Sequence, residues 1–141
     1  QVTWELVGCW AKLNWTGGSN YIKSLGTINN YYIDSEIDSQ SPHNLQARTN
    51  CKGYSVNVKT TQFSLPTGHL DTPESALGDF SLYINQWSQY KSFSGFNQEI
   101  NMIQSSNAGT TNFDILYKYI IDEKDVSGDY TVYLTYTLSG N

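Results

Sequence analysis

The sequence predicts an all-β protein: an antiparallel β-sandwich of the immunoglobulin-like or jelly-roll kind, with eight to nine strands and almost no helix. Three observations predict it. Apolar and polar residues alternate with a period of two along most of the chain, helical periodicity is nearly absent, and turn signals separate the alternating runs. At 141 residues, the chain is long enough to bury a core of its own, so residues 1–141 are expected to form a single domain.

The strand pattern recurs from one end of the chain to the other. The clearest run is Tyr54–Thr60, in which Tyr54, Val56 and Val58 are expected to face inward. Residues 113–121 are apolar on both faces, which is typical of a central strand or of a covered edge. One short helix is expected after Pro73, capped by Thr72. The predicted strands span residues 2–6, 10–15, 21–33, 44–49, 54–60, 79–84, 98–103, 113–121 and 130–138.

The charge composition argues against two classes of partner. The net charge is −5, and no stripe of Lys or Arg is present that could neutralise nucleic-acid phosphates or anionic lipids. No apolar run approaches the roughly 20 residues that span a bilayer as a helix, so no membrane insertion is expected. Because the sequence begins at Gln1 without a charged and then apolar segment, we expect a secreted protein whose signal peptide has been removed.

Two cysteines, Cys9 and Cys51, are the only thiols of the chain. Neither lies in a Cys-x-x-Cys or His-rich context, so a metal site is not indicated. They are expected to form a disulfide in an oxidising compartment, with two buried free thiols as the alternative. Closing this loop would stabilise the fold by about 4 kcal/mol in the chain-entropy model.

No catalytic signature is present, and the chain is not expected to be an enzyme. His43 and His69 both lie in loop-like sequence, and no Gly-x-Ser-x-Gly elbow occurs. A triad assembles in space, however, and leaves few traces in sequence. We therefore predict no catalytic residue.

Three carboxylates, Asp34, Glu36 and Asp38, fall on one face if their segment is extended. Oxygen ligands grouped in this way can bind calcium, and paired acids can also hydrolyse a glycosidic bond. The alternative is the solvated face of an edge strand, where like charges discourage aggregation. Calcium is the one cofactor that the sequence suggests.

Aromatic residues are unusually frequent, with four Trp, 11 Tyr and five Phe. Trp87, Tyr90, Phe93 and Phe96 occur in loop-like sequence and could form an interface or stack on sugar rings, while the alternative is that they fill the core. The segment Asn14-Trp15-Thr16 is the one Asn-x-Ser/Thr sequon, which makes Asn14 a candidate glycosylation site.

Two segments carry a resemblance to a known family. The stretch LQARTNCKGYSVNVKTTQFSLPTG (Leu45–Gly68) resembles the first half of the WxL-type surface domains of Gram-positive bacteria. The stretch SGDYTVYLTYTL (Ser127–Leu138) is similar to the final strand of that family. The two motifs read Tyr54-Ser55-Val56 and Tyr136-Thr137-Leu138, so tyrosines stand where the family has its signature tryptophans, and valine replaces the first leucine. Camelysin-like biofilm fibre proteins and donor-strand pilins share the same general pattern.

This resemblance and the strand pattern together imply a non-enzymatic structural protein. We expect a secreted, pilus-like filament subunit of the cell surface, a homopolymer in which one copy lends a terminal strand to the open sheet of the next. The donor is expected to be the segment 1–6, with Val2, Trp4 and Leu6 filling the pockets of the acceptor. The last strand is expected to close the sandwich, followed by a loose tripeptide from Ser139.

Two other functions remain open from the sequence. The first is a β-sandwich module that binds polysaccharide or cell wall through the aromatic platform of Trp87, Tyr90, Phe93 and Phe96. The second is a hydrolase built on Asp34, Glu36 and Asp38.

Overall fold

Two antiparallel sheets pack against each other in the structure, a computed structural model that describes Thr3, residues 8–26 and residues 34–140. Within these residues it contains nine strands and one short helix, which confirms the predicted all-β sandwich. The elements are β1 (Ala11–Trp15), β2 (Glu36–Asp38), β3 (His43–Thr49), β4 (Tyr54–Ser64), α1 (Pro73–Leu77), β5 (Phe80–Ile84), β6 (Lys91–Ser92), β7 (Ile100–Ser105), β8 (Gly109–Ile120) and β9 (Thr131–Gly140).

The large sheet has the strand order β1–β3–β8–β5–β6, and the small sheet has the order β7–β4–β9. Strand β2 pairs with β8 beyond the point where β3 ends, so β2 and β3 lie in succession along one side of β8. Strand β5 pairs with the other side of β8. The prediction that the doubly apolar segment 113–121 forms a central strand is thereby confirmed.

The core lies between the two sheets and follows the predicted alternation. In β4, Tyr54, Val56 and Val58 are buried while the residues between them are partly exposed, as expected. In β8, Phe113 and Ile115 are fully buried. The remaining side chains of the interior that are below 2% exposure include Leu77, Leu82, Ile84 and Thr60.

The one described helix, α1, begins where the sequence predicts it. The Thr72 hydroxyl accepts a hydrogen bond from the N–H of Ser75 at 3.2 Å, and Pro73 occupies the first turn, where its missing N–H costs nothing. The helix spans five residues. Across the described part of the chain, no helix has the length and apolar character needed to cross a membrane.

Three predictions about strands need correction. Residues 21–26 form no strand, and the rest of that predicted stretch, 27–33, lies outside the described residues. The tail from Ser139 is not loose, because β9 continues through Gly140. Strand β9 belongs to the small sheet but does not close the sandwich: it lies at the edge, and β4 is the one described strand that pairs with it.

Candidate functional site

A groove of about 480 Å³ runs beside the first half of β9. One wall consists of inward side chains of β9, namely Val132, Leu134 and Tyr136, and the facing wall consists of residues 21–26. Since β4 pairs with one side of β9, the other side of its main chain borders the groove. An edge of this kind presents N–H and C=O groups to any extended segment that enters. This space is called the β9 groove below.

The floor of the β9 groove is the hydrophobic core itself. Phe63, Phe80, Tyr117 and Tyr119 line it, and each is 6% exposed or less. Phe63 lies edge-on to Tyr119 with ring centroids 5.8 Å apart, and Phe80 stacks on Tyr117 at 6.0 Å. An apolar side chain that enters the groove would therefore be removed from water against aromatic rings.

Large apolar side chains also lie exposed on the facing wall. Tyr21 is 80% exposed and Ile22 is 64% exposed, although both border the groove. Lys23 follows them, and its Nζ donates a hydrogen bond to the Ser41 hydroxyl at 2.9 Å. Exposed apolar residues beside an apolar groove are typical of a binding surface.

At its other end, the groove is closed by aromatic contacts. The Trp15 ring lies edge-on to Tyr136, with centroids 5.6 Å apart, and joins the end of β1 to the middle of β9. Beyond this contact, the disulfide between Cys9 and Cys51 packs against Gly140 at the end of β9. The disulfide confirms the predicted pairing, with an S–S distance of 2.04 Å. The groove is thus confined to the part of β9 nearer Gly128.

A chain of hydrogen bonds links the two sheets at this closed end. His43 Nε2 faces the carbonyl oxygen of Asn20, which can only accept, so Nε2 carries the proton. His43 Nδ1 then accepts from the Tyr117 hydroxyl at 2.9 Å, and Tyr117 accepts from the Tyr136 hydroxyl at 2.6 Å. The Trp15 ring stacks on His43 with centroids 3.8 Å apart.

Burial keeps this chain neutral. Removal from water lowers the pKa of His43, the positive charge of Lys23 lowers it further, and the hydrogen bond to Asn20 acts in the opposite direction. Burial also raises the pKa of Tyr117 and that of Tyr136. At neutral pH the histidine is therefore uncharged and both hydroxyls keep their protons.

A second polar cluster lies under the turn between β8 and β9, at the Gly128 end of the groove. Asp125 is fully buried, and its carboxylate accepts from His69 Nε2 at 2.7 Å, the Tyr119 hydroxyl at 2.8 Å and the N–H of Asp122 at 2.9 Å. His69 Nδ1 accepts from the N–H of Asp71 at 3.0 Å, so Nε2 is the protonated nitrogen. A buried carboxylate with these donors is satisfied, and it anchors the turn to β8.

Asp79 belongs to the same end of the molecule. Burial, a hydrogen bond with Asp122 and the negative charges of Asp122, Asp125 and Asp71 raise the pKa of Asp79 to about 6. This carboxyl therefore changes charge in mildly acidic solution.

The histidines of these clusters have hydrogen-bond partners within the fold. Both histidines of the chain use both ring nitrogens on neighbouring groups of the fold: Asn20 and Tyr117 for His43, Asp125 and Asp71 for His69. Their geometry holds strands and turns in place around the β9 groove. The groove itself can accept an extended apolar segment.

The four aromatic residues proposed for stacking do not form one exposed platform. Phe93 is buried and stacks on Phe80 at 6.4 Å, and Phe96 packs against the core, as the core interpretation expected. Trp87 is partly buried against the core, with Lys91 Nζ 4.3 Å above its ring. Tyr90 is half-buried between Lys118 and Tyr83. This arrangement gives the polysaccharide interpretation little support.

The predicted calcium ligands lie on and just before β2. Glu36 and Asp38 belong to that strand, and Lys118 Nζ lies 3.6 Å from the carboxylate of Glu36. Among the described residues, no group of three or more His, Cys, Asp or Glu side chains could hold a metal ion. Asp34, Glu36 and Asp38 therefore do not form such a metal-binding group.

Two further predicted sites concern the amino-terminal part of the chain. Asn14 lies on β1 opposite Gln46, between two residues that pack against the core, Leu13 and Trp15. The predicted donor residues Val2, Trp4 and Leu6 lie outside the described residues.

No protein-family model matches the chain, and no curated protein matches it either. The resemblance to WxL-type domains therefore stays a prediction, and function has to be inferred from the groove.

Sequence reasoning missed the residues that build the groove. His43 was expected in a loop, but it is the first residue of β3 and is buried. One signal was available, because tyrosines occur at inward positions of β8 and β9. A buried tyrosine hydroxyl needs a hydrogen-bond partner, and the hydroxyls of Tyr117 and Tyr136 bond to each other. The local sequence pattern could not show that Tyr117 and Tyr136 meet beside an opening.

Proposed function

We propose that the chain is a secreted structural subunit of an extracellular, pilus-like surface filament, assembled when a β-strand of one copy enters the β9 groove of another. The observation that carries the proposal is the position of β9, a ten-residue strand. Among the described strands only β4 pairs with it, and its inward side chains border an opening into the core. A strand added there would extend the ladder of main-chain hydrogen bonds and place alternate side chains in the groove. The polymer then needs no partner other than copies of itself.

The segment 1–6 has the pattern that such a groove requires. Val2, Trp4 and Leu6 alternate with Thr3 and Glu5, so an extended segment places its three apolar side chains on one face. Full burial of one large apolar side chain contributes about 1.5–3 kcal/mol. Three such side chains would supply a substantial part of the free energy of association.

The cysteines support an extracellular compartment. A disulfide between Cys9 and Cys51 is compatible with a secreted protein. Disulfides persist in oxidising surroundings and are rare in the reducing cytosol. We therefore assign the filament to the cell exterior as part of the proposal.

The proposal is tested by removing residues 1–6 and examining the protein by electron microscopy and light scattering. We expect the full chain to form filaments and the truncated chain to stay monomeric, while circular dichroism shows the same sheet content in both. Point variants give a matched comparison: Trp4→Ala should abolish assembly, and Thr3→Ala, on the opposite face of the segment, should not. A monodisperse full chain, or filaments from the truncated chain, would refute the proposal.

A further inference from the structure

A second pocket, of about 300 Å³, lies where the turn after β1 meets the start of β3. The described residues of its wall are 17–20, Ile22, Lys23 and 41–44, most of them polar. Lys23 is the one charged side chain among them at neutral pH, because burial keeps His43 uncharged, and none of them is Asp or Glu. This space, called the polar pocket below, therefore favours an anion.

The turn after β1 supplies main-chain donors to the polar pocket. The N–H of Ser19 donates to the carbonyl oxygen of Thr16 at 2.9 Å, which closes a turn with Gly17 and Gly18 at its centre. Their φ values are 60° and 80°, a left-handed conformation that glycine adopts without strain. Within the described part of the chain, neither glycine N–H donates to a protein acceptor. A Cβ on Gly18 would have no atom within 4 Å, so a ligand can approach the main chain there.

Two contacts hold the polar groups of the pocket in place. The N–H of Asn44 donates to the Ser19 hydroxyl at 3.0 Å, which fixes the turn to β3. Lys23 Nζ donates to the Ser41 hydroxyl at 2.9 Å. The ammonium has two further protons, and the Ser41 hydroxyl keeps its own proton to donate. An ammonium, a hydroxyl and main-chain N–H groups thus surround one small space.

We propose that the polar pocket binds a single phosphate group, either free phosphate or the phosphate monoester of a sugar. Main-chain N–H groups of a turn and a lysine ammonium are donors that proteins use for phosphate oxygens. The volume of about 300 Å³ lies at the lower end of the range for small-molecule sites. A single lysine suits one phosphate, whereas a nucleic-acid surface neutralises several in a row. The site is independent of the proposed filament, because its donors do not belong to β9.

Two-dimensional NMR of the ¹⁵N-labelled chain tests the site with inorganic phosphate and with glucose 6-phosphate, at an ionic strength held constant with sodium chloride. We expect the amide resonances of Gly17 and Gly18 to shift with either probe and to reach saturation. Lys23→Gln should weaken binding about tenfold, the usual effect of losing a charged hydrogen-bond partner. Lys52→Gln, at an exposed position outside the pocket, is the matched control and should change the affinity by less than about twofold.

The two probes also distinguish the sources of the phosphate. Binding of inorganic phosphate at least as tight as that of glucose 6-phosphate assigns the site to free phosphate. Tighter binding of glucose 6-phosphate assigns it to a phosphorylated sugar whose ring also contacts the wall. Resonance shifts that never saturate, or that sodium chloride reproduces at equal ionic strength, would overturn the proposal. Equal affinities of the wild type and Lys23→Gln would overturn it as well.

Discussion

The hydroxyls of Tyr117 and Tyr136 form a hydrogen bond of 2.6 Å that connects the large sheet to the small sheet. Tyr117 belongs to the central strand β8 and Tyr136 to the edge strand β9. Because both side chains also line the β9 groove, this bond holds the two sheets together at the point where the groove ends. Strand β9, which pairs with β4 alone among the described strands, is thereby anchored at its centre.

Removal of one hydroxyl should weaken this connection. Tyr136→Phe takes away the hydroxyl that donates to Tyr117, and we expect the free energy of unfolding to fall by about 1 kcal/mol, the usual net value of a hydrogen bond. Urea denaturation measures the change. Tyr133→Phe, on the outward face of the same strand, is the matched control and should change stability by less than about 0.5 kcal/mol. Equal effects from the two variants would contradict the assigned role.

The neutral state of His43 predicts a loss of stability in acid. Burial lowers the pKa of His43 below its ordinary 6.5, so the unfolded chain binds this proton at a higher pH than the folded chain does. The contribution of His43 is fully present above pH 6.5. It is lost as the pH falls from there through the lowered pKa of the folded state.

Comparison with His43→Gln isolates this effect, because glutamine has a donor and an acceptor but does not titrate. Chemical denaturation of both proteins between pH 7 and pH 4 should show the wild type losing more stability than the variant over that interval. The contributions of titratable groups that both proteins share cancel in the difference. Parallel stability curves would show that His43 is not held neutral.

The raised pKa of Asp79 predicts that the free energy of unfolding falls as the pH rises, the opposite of the effect of His43. Its pKa is about 6 in the folded chain against an ordinary 3.8, so the folded state holds the proton over that interval and loses stability as the pH rises through it. Asp79→Asn should therefore increase the free energy of unfolding at pH 7 and leave it nearly unchanged near pH 4. Because Asp79 is partly exposed, the gain should shrink in high salt. A difference between the two proteins that is the same at pH 4 and at pH 7 would contradict this prediction.

The close packing of Gly140 against the disulfide leaves no room for a side chain at this position. A Cβ at this position would overlap Cys51 Sγ, and Cys9 Sγ lies close by as well. We expect Gly140→Ala to destabilise the fold by about 1–3 kcal/mol, the usual cost of overpacking. Thermal unfolding measures it, with Ser139→Ala, exposed at the preceding position, as the control. A melting temperature equal to that of the control would show that β9 can move away from the disulfide.

Much of the sandwich could be predicted because strands have a recognisable local pattern of apolar and polar residues in the sequence. Alternation placed β4 and assigned Tyr54, Val56 and Val58 to the interior, while a run that is apolar on both faces placed β8. The cap at Thr72 and the pairing of Cys9 with Cys51 also follow from few residues. Residues 21–26 were predicted as a strand because they contain apolar side chains, but these line a groove and form no ladder.

By itself, the sequence determined most of the segments that become strands, the inward face of β4, and that two cysteines would bond. Each of these depends on short-range periodicity or on a small inventory of residues. Only the tertiary structure decided that β9 lies at an edge, that His43, Tyr117 and Tyr136 meet across the sheets, and that a groove opens beside them. The physical reason is that the order of strands in a sheet is set by contacts between residues far apart in the chain. Alternation is the same for an edge strand and for a central one with a single buried face.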